Sequence, residues 1–116
     1  MDYDKLSKDI LGLDSEIRFG VCDDSGETRF GGQQEGVKNL LSPEETKKSN
    51  LQAMARWGLR NSLTTTVGRG RYAMAEYEKI KRITIALGID HVMLVTTEVS
   101  ANHMKIINNI LKRLED

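Results

Sequence analysis

The spacing of apolar residues changes four times along this chain of 116 residues, and each change predicts a switch in secondary structure. Apolar residues recur at helical spacing near the N-terminus, alternate from residue 17, return to helical spacing from residue 42, alternate again from residue 71, and are helical near the C-terminus. Helical spacing gathers apolar side chains on one face of a helix, and alternation gathers them on one face of a strand. The predicted order is helix, two strands, helix, three strands, helix, in a single α+β domain over residues 1–116.

The N-terminal part predicts a helix followed by a hairpin. A short amphipathic helix is predicted over residues 3–13 and a strand with one buried face over residues 17–22. Residues 23–26 have the composition of a turn, and residues 27–31 predict the returning strand. Gly20, Gly31 and Gly32 in this hairpin predict a bulge or a closely packed helix.

Residues 42–45, Ser-Pro-Glu-Glu, predict the start of a long helix. Ser42 can accept a hydrogen bond from the amide of Glu45, and the Glu45 side chain can reach back to the amide of Ser42, as in a capping box. Pro43 occupies a position where no backbone donor is needed. The helix is predicted to continue to about Leu63, and residues 64–68 to end it. Its apolar stripe consists of Leu51, Met54, Ala55, Gly58, Leu59 and Leu63.

Three strands are predicted over residues 72–77, 82–87 and 91–96, with a turn at residues 88–90. The third is apolar on both faces, which predicts a central strand that is covered on both sides. Charges at residues 76–82 fit an outer strand that is protected from edge pairing. Ser100 is predicted to cap the last helix. The core face of that helix is predicted to contain Met104, Ile107, Leu111 and Leu114, with Ile106 and Ile110 beside them.

Composition narrows the class of protein. An apolar share of 39% and a charged share of 29% are typical of a globular chain rather than a disordered one. Cys22 is the only cysteine, so no intramolecular disulfide can form, and a reducing, cytoplasmic location is expected. The N-terminus is acidic and no long apolar run follows it, so neither a signal peptide nor a membrane span is expected.

No group of residues has the spacing of a catalytic or metal site. Cys22 lies beside two aspartates, whose charges raise a thiol pKa and oppose formation of a nucleophilic thiolate, so a half-buried structural cysteine is expected. His91 and His103 are too few for a metal site and lack its usual ligand spacing. The glycine-rich residues 31–36 and 68–71 lack the sequence context of nucleotide-binding loops. We therefore expect no cofactor, no metal and no enzymatic activity.

The order and lengths of these elements resemble the roadblock family of dynein light chains, within the broader profilin-like and longin-like folds. The resemblance covers nearly the whole chain and involves no signature motif. It implies a five-stranded antiparallel sheet of order 2-1-5-4-3, with the two terminal helices on one face and the long central helix on the other. It also implies a homodimer, or a dimer with a related subunit, built from the central helix and the third strand. Such a dimer would be a platform for a small GTPase or another protein.

Two short runs are similar to small archaeal proteins without an assigned activity. One is FGGQQEGV at residues 30–37, followed by Leu40 and Leu41, and the other is KIKR at residues 79–82, before an isoleucine-rich strand. These runs favour a family distinct from the dynein light chains proper.

The first functional hypothesis is an interaction module whose central helices meet across a two-fold axis. A glycine inside a helix costs about 1 kcal/mol relative to alanine, and close approach of another backbone would explain Gly58. Trp57 would be a contact anchor if it is exposed, and part of the monomer core if it is not. The predicted interface residues are Leu51, Met54, Ala55, Trp57, Gly58, Leu59, Tyr72, Met74 and Tyr77.

The second hypothesis follows from an uneven distribution of charge. Residues 47–82 contain nine basic and two acidic residues, a net +7, so the rest of this neutral chain carries −7. One explanation of this asymmetry is a solvated helix face together with an edge strand whose charges prevent edge pairing. The other is a basic patch that binds an anion or a nucleic acid. Affinity of the protein for RNA or DNA would then fall steeply as salt rises. That patch would consist of Arg56, Arg60, Arg69, Arg71, Lys79, Lys81 and Arg82. A third hypothesis is a small-molecule sensor, because profilin-like and PAS-like sheets can cup a ligand, although no convergent polar group is evident for it.

Overall fold

Four helices and five strands make up the described part of the chain. The structure is a computed structural model that describes residues 3–13, 17–33, 41–88 and 91–115. In chain order the elements are α1 (Tyr3–Leu11), β1 (Arg18–Asp23), β2 (Thr28–Gln33), α2 (Pro43–Asn61), α3 (Thr64–Val67), β3 (Tyr72–Glu76), β4 (Ile80–Leu87), β5 (His91–Glu98) and α4 (His103–Glu115). The predicted order is confirmed, with the short α3 added. Residues 34–40, between the predicted hairpin and the predicted long helix, lie outside the described residues, and so do residues 89–90 of the predicted turn.

The strands form one antiparallel sheet in the order β2-β1-β5-β4-β3. β5 lies at its centre, and residues 92–95 are all buried, so side chains on both faces of this strand are covered. β3 lies at one edge of the described sheet, and four of its five residues are exposed. The apolar run that predicted a central strand and the charges that predicted an outer one are therefore both confirmed.

Helices cover the two faces of the sheet unequally. α1 and α4 pack on one face, over a core composed of Leu6, Ile10, Ile17, Phe19, Val21, Ile83, Ile85, Met93, Val95, Ile106, Ile107 and Ile110. α2 packs on the other face, over a smaller core composed of Cys22, Ala53, Trp57, Val92 and Leu94. Alternate residues of each strand point to the two faces, so the central strand has to be apolar throughout.

α2 begins at the predicted capping box. The Ser42 hydroxyl accepts a hydrogen bond from the Glu45 amide at 3.1 Å, and the Glu45 carboxylate accepts one from the Ser42 amide at 3.0 Å. The bond from the Ser42 backbone lowers the pKa of Glu45. Residues 64–67, predicted to end the helix, form the single turn of α3 instead. The turn is closed because the Gly68 amide donates to the Thr64 carbonyl at 3.0 Å.

The start of α4 differs from the prediction. Asn102, not Ser100, caps the helix, because its side-chain oxygen accepts a hydrogen bond from the Lys105 amide at 3.2 Å. The Ala101 amide donates to the Glu98 carbonyl at 3.1 Å, so the chain is still turning away from β5 at Ser100. Met104, predicted in the core, is 42% exposed, and its sulfur lies 3.9 Å from the Tyr72 hydroxyl at the edge of the sheet rather than in the core.

The β1–β2 hairpin has the predicted turn, and Gly26 adopts a φ of +84° there. The predicted bulge occurs at Arg29 rather than at a glycine, because Val21 lies opposite Phe30 whereas Cys22 lies opposite Thr28. At Gly31 the close neighbour is a strand rather than the predicted helix, since a Cβ atom there would lie 2.6 Å from the Phe19 carbonyl oxygen of β1. Cys22 is fully buried rather than half-buried, because α2 covers its face of the sheet.

Candidate interaction surface

The outer edge of β3 presents unpaired backbone groups. The Tyr77 amide donates a hydrogen bond to the Ile80 carbonyl oxygen at 2.7 Å, so the backbone groups of Tyr77 point toward β4. In an antiparallel pair every second residue has this orientation, so the backbone groups of Ala73 and Ala75 also point toward β4. By alternation, the backbone groups of Tyr72, Met74 and Glu76 point away from β4. No strand among the described residues pairs with that edge. An edge of this kind is a template for the addition of another strand.

Exposed apolar side chains concentrate around this edge and along α2. Of the nine large apolar side chains that are exposed in the described residues, seven lie between residues 51 and 77. These seven are Leu51, Leu59, Leu63, Val67, Tyr72, Met74 and Tyr77. Leu59 is 74% exposed and Val67 is 75% exposed, so neither packs within the chain. A concentration of this kind is typical of an interaction surface.

The buried face of α2 is not the predicted stripe. Asn50, Ala53 and Trp57 point into the molecule, whereas Leu51 and Leu59 remain exposed. Asn50 donates to the Gly26 carbonyl oxygen at 3.1 Å and to the Thr28 hydroxyl at 3.1 Å, which ties α2 to the β1–β2 hairpin. The sequence analysis missed Asn50 because a polar residue breaks an apolar period.

The two flanks of α2 differ in chemistry, and this divides the predicted interface. Leu51 lies against Gly26 on the flank that faces the β1–β2 hairpin. The flank that faces β3 and β4 carries Ser49, Gln52, Arg56 and Arg60 instead. The apolar stripe and the β3 edge, predicted as one surface, are therefore not continuous in a single chain.

The remaining predicted interface residues of α2 have different environments. Trp57 is only 5% exposed, as in the alternative that places it in the monomer core, and its ring lies close to Gly70. Met54 packs partly against the smaller core. Ala55 is exposed. Gly58 is also exposed, and a Cβ atom there would have no described neighbour within 4 Å, so the monomer gives no packing reason for this glycine.

The seven cations of the predicted patch do not form one surface. The Lys81 side chain is buried on the face covered by α1 and α4, and it donates to the Ala101 carbonyl oxygen at 2.9 Å. Arg71 forms an ion pair with Glu115 at 3.0 Å. Arg69 is exposed in the loop before β3, and Lys79 in the turn before β4. Arg56, Arg60 and Arg82 line a common groove, and Lys79 lines a second cavity that adjoins it.

This groove, which we call the arginine groove, lies between α2 and the uncovered face of β3 and β4. It has a volume of about 80 Å³. Its lining consists of Ser49, Gln52, Ala53, Arg56, Arg60, Ala73, Met74, Ala75, Tyr77, Arg82, Thr84 and Leu94. Its floor is continuous with β3, since Ala73, Met74 and Ala75 contribute to it. The groove exists because α2 packs over β1 and β5 and leaves the same face of β3 and β4 open.

A wider cavity of about 600 Å³ adjoins the arginine groove, and Arg82 and Tyr77 line both. It is bounded by the first turns of α2 and the β3–β4 turn, and its lining carries both signs of charge, including Glu45, Glu78 and Lys79. Glu45 is engaged in the capping box. This mixed lining provides no convergent set of polar groups for a small ligand.

Lys81 is a buried cation with several partners. Its ammonium lies 2.9 Å from His103 Nδ1 and 4.0 Å from the Glu76 carboxylate, in addition to the Ala101 carbonyl. A buried lysine normally needs such partners, and these link β3, β4 and the start of α4. The sequence did contain a signal, because Lys81 is in phase with Ile83 and Ile85, which line the core.

The described residues contain little that would support a catalytic site or a metal site. Burial, and secondarily the charge of Asp23, raises the pKa of the Cys22 thiol, which opposes thiolate formation. Within residues 3–13, 17–33, 41–88 and 91–115, no three His, Cys, Asp or Glu side chains come together as metal ligands. No helix in these ranges is long and apolar enough to cross a membrane.

Solved structures with the same architecture belong to roadblock/LC7 domain proteins. The gliding protein MglB from Thermus thermophilus matches 96% of this chain and 86% of its own, with a TM-score of 0.72 and 10% identity. A roadblock/LC7 domain from Streptomyces avermitilis matches 99% of this chain and 96% of its own, with a TM-score of 0.71 and 13% identity. MglB in a tetrameric arrangement matches 96% of this chain and 83% of its own, with a TM-score of 0.75 and 9% identity.

These matches confirm the resemblance at the level of the fold. The sequence matches no protein-family model and no curated protein. At identities of this size, structural likeness shows the fold alone, and function has to be argued from this chain's own residues. The chain therefore has the roadblock fold, with the strand order and helix placement that the resemblance implied.

Proposed function

We propose that this protein is a non-enzymatic regulatory module that assembles through the outer edge of β3 and then binds a protein partner in the cytoplasm. The observation that carries the proposal is the unpaired edge of β3, with exposed Tyr72, Met74 and Tyr77 on or beside it. The roadblock fold of the neighbours supports an interaction role, and one of those neighbours is MglB in a tetrameric arrangement.

The assembly that this edge favours is a homodimer, or a dimer with a related subunit. Two identical edges can pair antiparallel about a two-fold axis, which joins two five-stranded sheets and covers backbone groups that otherwise face solvent. Tyr72 and Met74 project on the α1–α4 side of the strand, because they lie opposite Ile85 and Ile83 in the ladder. Pairing of the edges would bring copies of these side chains together across the axis.

A proline at Met74 tests the edge directly. The Met74 amide points away from β4, so a proline there removes an outward donor and leaves the β3–β4 ladder bonds in place. The matched control is Met74→Ala, which also removes the side chain but keeps the amide. We expect light scattering to give twice the 13.1 kDa chain mass for the natural protein and for Met74→Ala at roughly tens of micromolar, and the monomer mass for Met74→Pro. A natural protein that is monomeric at this concentration would contradict the proposal.

The partner that the roadblock resemblance implies is a small GTPase. A regulator of this kind distinguishes the two nucleotide states of its partner, since γ-phosphate orders the switch segments of a GTPase. We expect the immobilised protein to retain such a partner with a non-hydrolysable GTP analogue and to release it with GDP. Retention that is independent of the nucleotide, or equal for Met74→Pro, would argue against this part of the proposal.

A further inference from the structure

We propose that the arginine groove binds a carboxylate side chain presented by an acidic protein partner. The inference deepens the proposed function, and it rests on that function in taking the partner to be a protein. The groove itself is complete within one chain, so its affinity for carboxylates can be measured whether or not the chain dimerises.

The groove has cations without local anions. Three arginines line it, and no carboxylate occurs among the described residues that do so. Among the described residues, no carboxylate lies within 4.0 Å of the guanidinium groups of Arg56, Arg60 and Arg82, whereas Arg29 and Arg71 form ion pairs with Asp23 and Glu115. Three guanidinium groups with no local counterion create a positive potential in the groove.

Arg82 is the central element of the groove. It projects from β4 on the α2 side of the sheet, its Nε atom is buried, and that atom has no hydrogen-bond partner among the described residues. Burial lowers the pKa of Arg82, with opposing effects from Tyr77 and Cys22 nearby. An arginine remains charged in proteins, so Arg82 carries a partly desolvated charge that an incoming carboxylate would compensate.

The two arginines of α2 are presented in a fixed relation to each other. Arg56 and Arg60 are four residues apart, so both project from the same flank of the helix. The Arg60 guanidinium lies 5.4 Å from the centre of the Trp57 ring, and Trp57 is itself held in the core. This cation–π contact orients Arg60 while its N–H groups remain available at the groove.

The size of the groove selects the class of ligand. Pockets for drug-sized ligands have volumes of about 300–1,000 Å³, well above the 80 Å³ of the arginine groove. A nucleotide would therefore extend into the adjoining cavity of about 600 Å³, where Glu45 and Glu78 would repel its phosphates. A planar carboxylate can enter the groove itself and bind a guanidinium in bidentate fashion. The lining contains one exposed aromatic ring, Tyr77, whereas stacking of successive nucleic-acid bases uses several aromatic rings interleaved with cations.

The location of the groove specifies how the carboxylate arrives. The groove floor includes Ala73 and Ala75 of β3, so a protein that packs on the α2 side of the sheet, beside the paired β3 edges, lies directly over the three arginines. Complementary charge then determines which protein fits, because an acidic surface is attracted to the groove and a basic one is repelled.

The test uses acetylated hexaglutamate as the probe and isothermal titration at low salt. The groove variant is Arg56→Gln with Arg60→Gln, and Arg82→Gln is made separately because its side chain is partly buried. The matched control is Lys8→Gln with Lys105→Gln, which removes the same charge from exposed positions on the two terminal helices. Circular dichroism verifies that each variant is folded.

We expect the groove variants to bind hexaglutamate at least about tenfold more weakly than the natural protein, as loss of a charge-assisted hydrogen bond predicts, and the control to bind it normally. If the groove variant and the control lose affinity for hexaglutamate equally, the proposal is overturned, because binding then depends on the total charge of the chain and not on the groove. Absence of binding would also overturn it, as would tighter binding of inorganic phosphate or single-stranded RNA. Light scattering of the same samples reports the proposed dimer separately, so failure of one idea is distinguishable from failure of the other.

Discussion

At the scale of single residues, Asp23 shows how one buried carboxylate organises a turn. Its Oδ1 atom accepts hydrogen bonds from the Ser25 hydroxyl at 2.6 Å, from the Ser25 amide at 2.9 Å and from the Glu27 amide at 3.2 Å. Its Oδ2 atom accepts one from Arg29 Nε at 2.6 Å. The Ser25 hydroxyl, then Arg29 and the backbone amides, hold the pKa of Asp23 well below its usual range, although burial acts in the opposite direction.

The lowered pKa predicts a specific pH dependence for Asp23→Asn. Because the folded-state pKa lies below the unfolded value of about 3.9, Asp23 stabilises the fold above that pH, and the contribution is lost as the pH falls toward the folded-state pKa. We expect Asp23→Asn to lower Tm at pH 7 and the difference from the natural protein to narrow below about pH 4. Thermal unfolding followed by circular dichroism measures this. Asp24→Asn, at the exposed neighbouring position, is the control, and a deficit for Asp23→Asn that does not change with pH would contradict the explanation.

At the scale of elements, the docking of α2 depends on a polar residue. Asn50 is 3% exposed, and its side-chain amide donates to both the Gly26 carbonyl oxygen and the Thr28 hydroxyl. The smaller core beneath α2 contains few large side chains, so this pair of bonds has a correspondingly large role in fixing the helix. Asn50 therefore attaches α2 to the β1–β2 hairpin.

We expect Asn50→Ala to lower the free energy of unfolding by about 1–3 kcal/mol, because it leaves the buried Gly26 carbonyl without its donor. Urea unfolding followed by Trp57 fluorescence measures the change, since that residue lies on the same face of the helix. Asn61→Ala makes the same chemical change at the exposed end of α2. Equal effects of the two substitutions would mean that the hydrogen bonds of Asn50 add no net stability.

Elements were predictable from the sequence where several local signals agree. The capping box, the proline and the acidic first turn all indicate the same start for α2, and apolar residues on both faces indicate the central place of β5. Ser100 was predicted as the cap of α4, but Asn102 has this role because of a turn at Glu98 that no periodicity reveals. The turn of α3 was missed because threonines have low helix propensity.

At the scale of the whole molecule, the sequence indicated which elements carry most of the exposed apolar side chains of the described residues, but not which flank of α2 faces β3. A helical period identifies apolar residues without showing where the sheet lies, and the face that packs here combines Asn50 with Trp57. The seven cations of the predicted patch were likewise treated as one group, although the side chains of Lys81 and Arg82 project from β4 on opposite faces of the sheet. The arginine groove arises from this separation, which depends on tertiary packing and not on sequence spacing.

The groove also predicts how self-association depends on salt. The chain has no net charge, yet pairing of two β3 edges would bring two arginine grooves toward each other, and their charges would repel. Exposed charges are screened over about 10 Å at 0.1 M salt and over about 3 Å at 1 M. We therefore expect the dimer measured by light scattering to become tighter as sodium chloride rises, and Arg56→Gln with Arg60→Gln to dimerise tightly already at low salt. Citrate, which supplies carboxylates, should tighten the natural dimer at concentrations where chloride has no effect. A dimer that weakens with salt would mean that opposite charges meet across the interface, and the two grooves would then have to lie away from the axis.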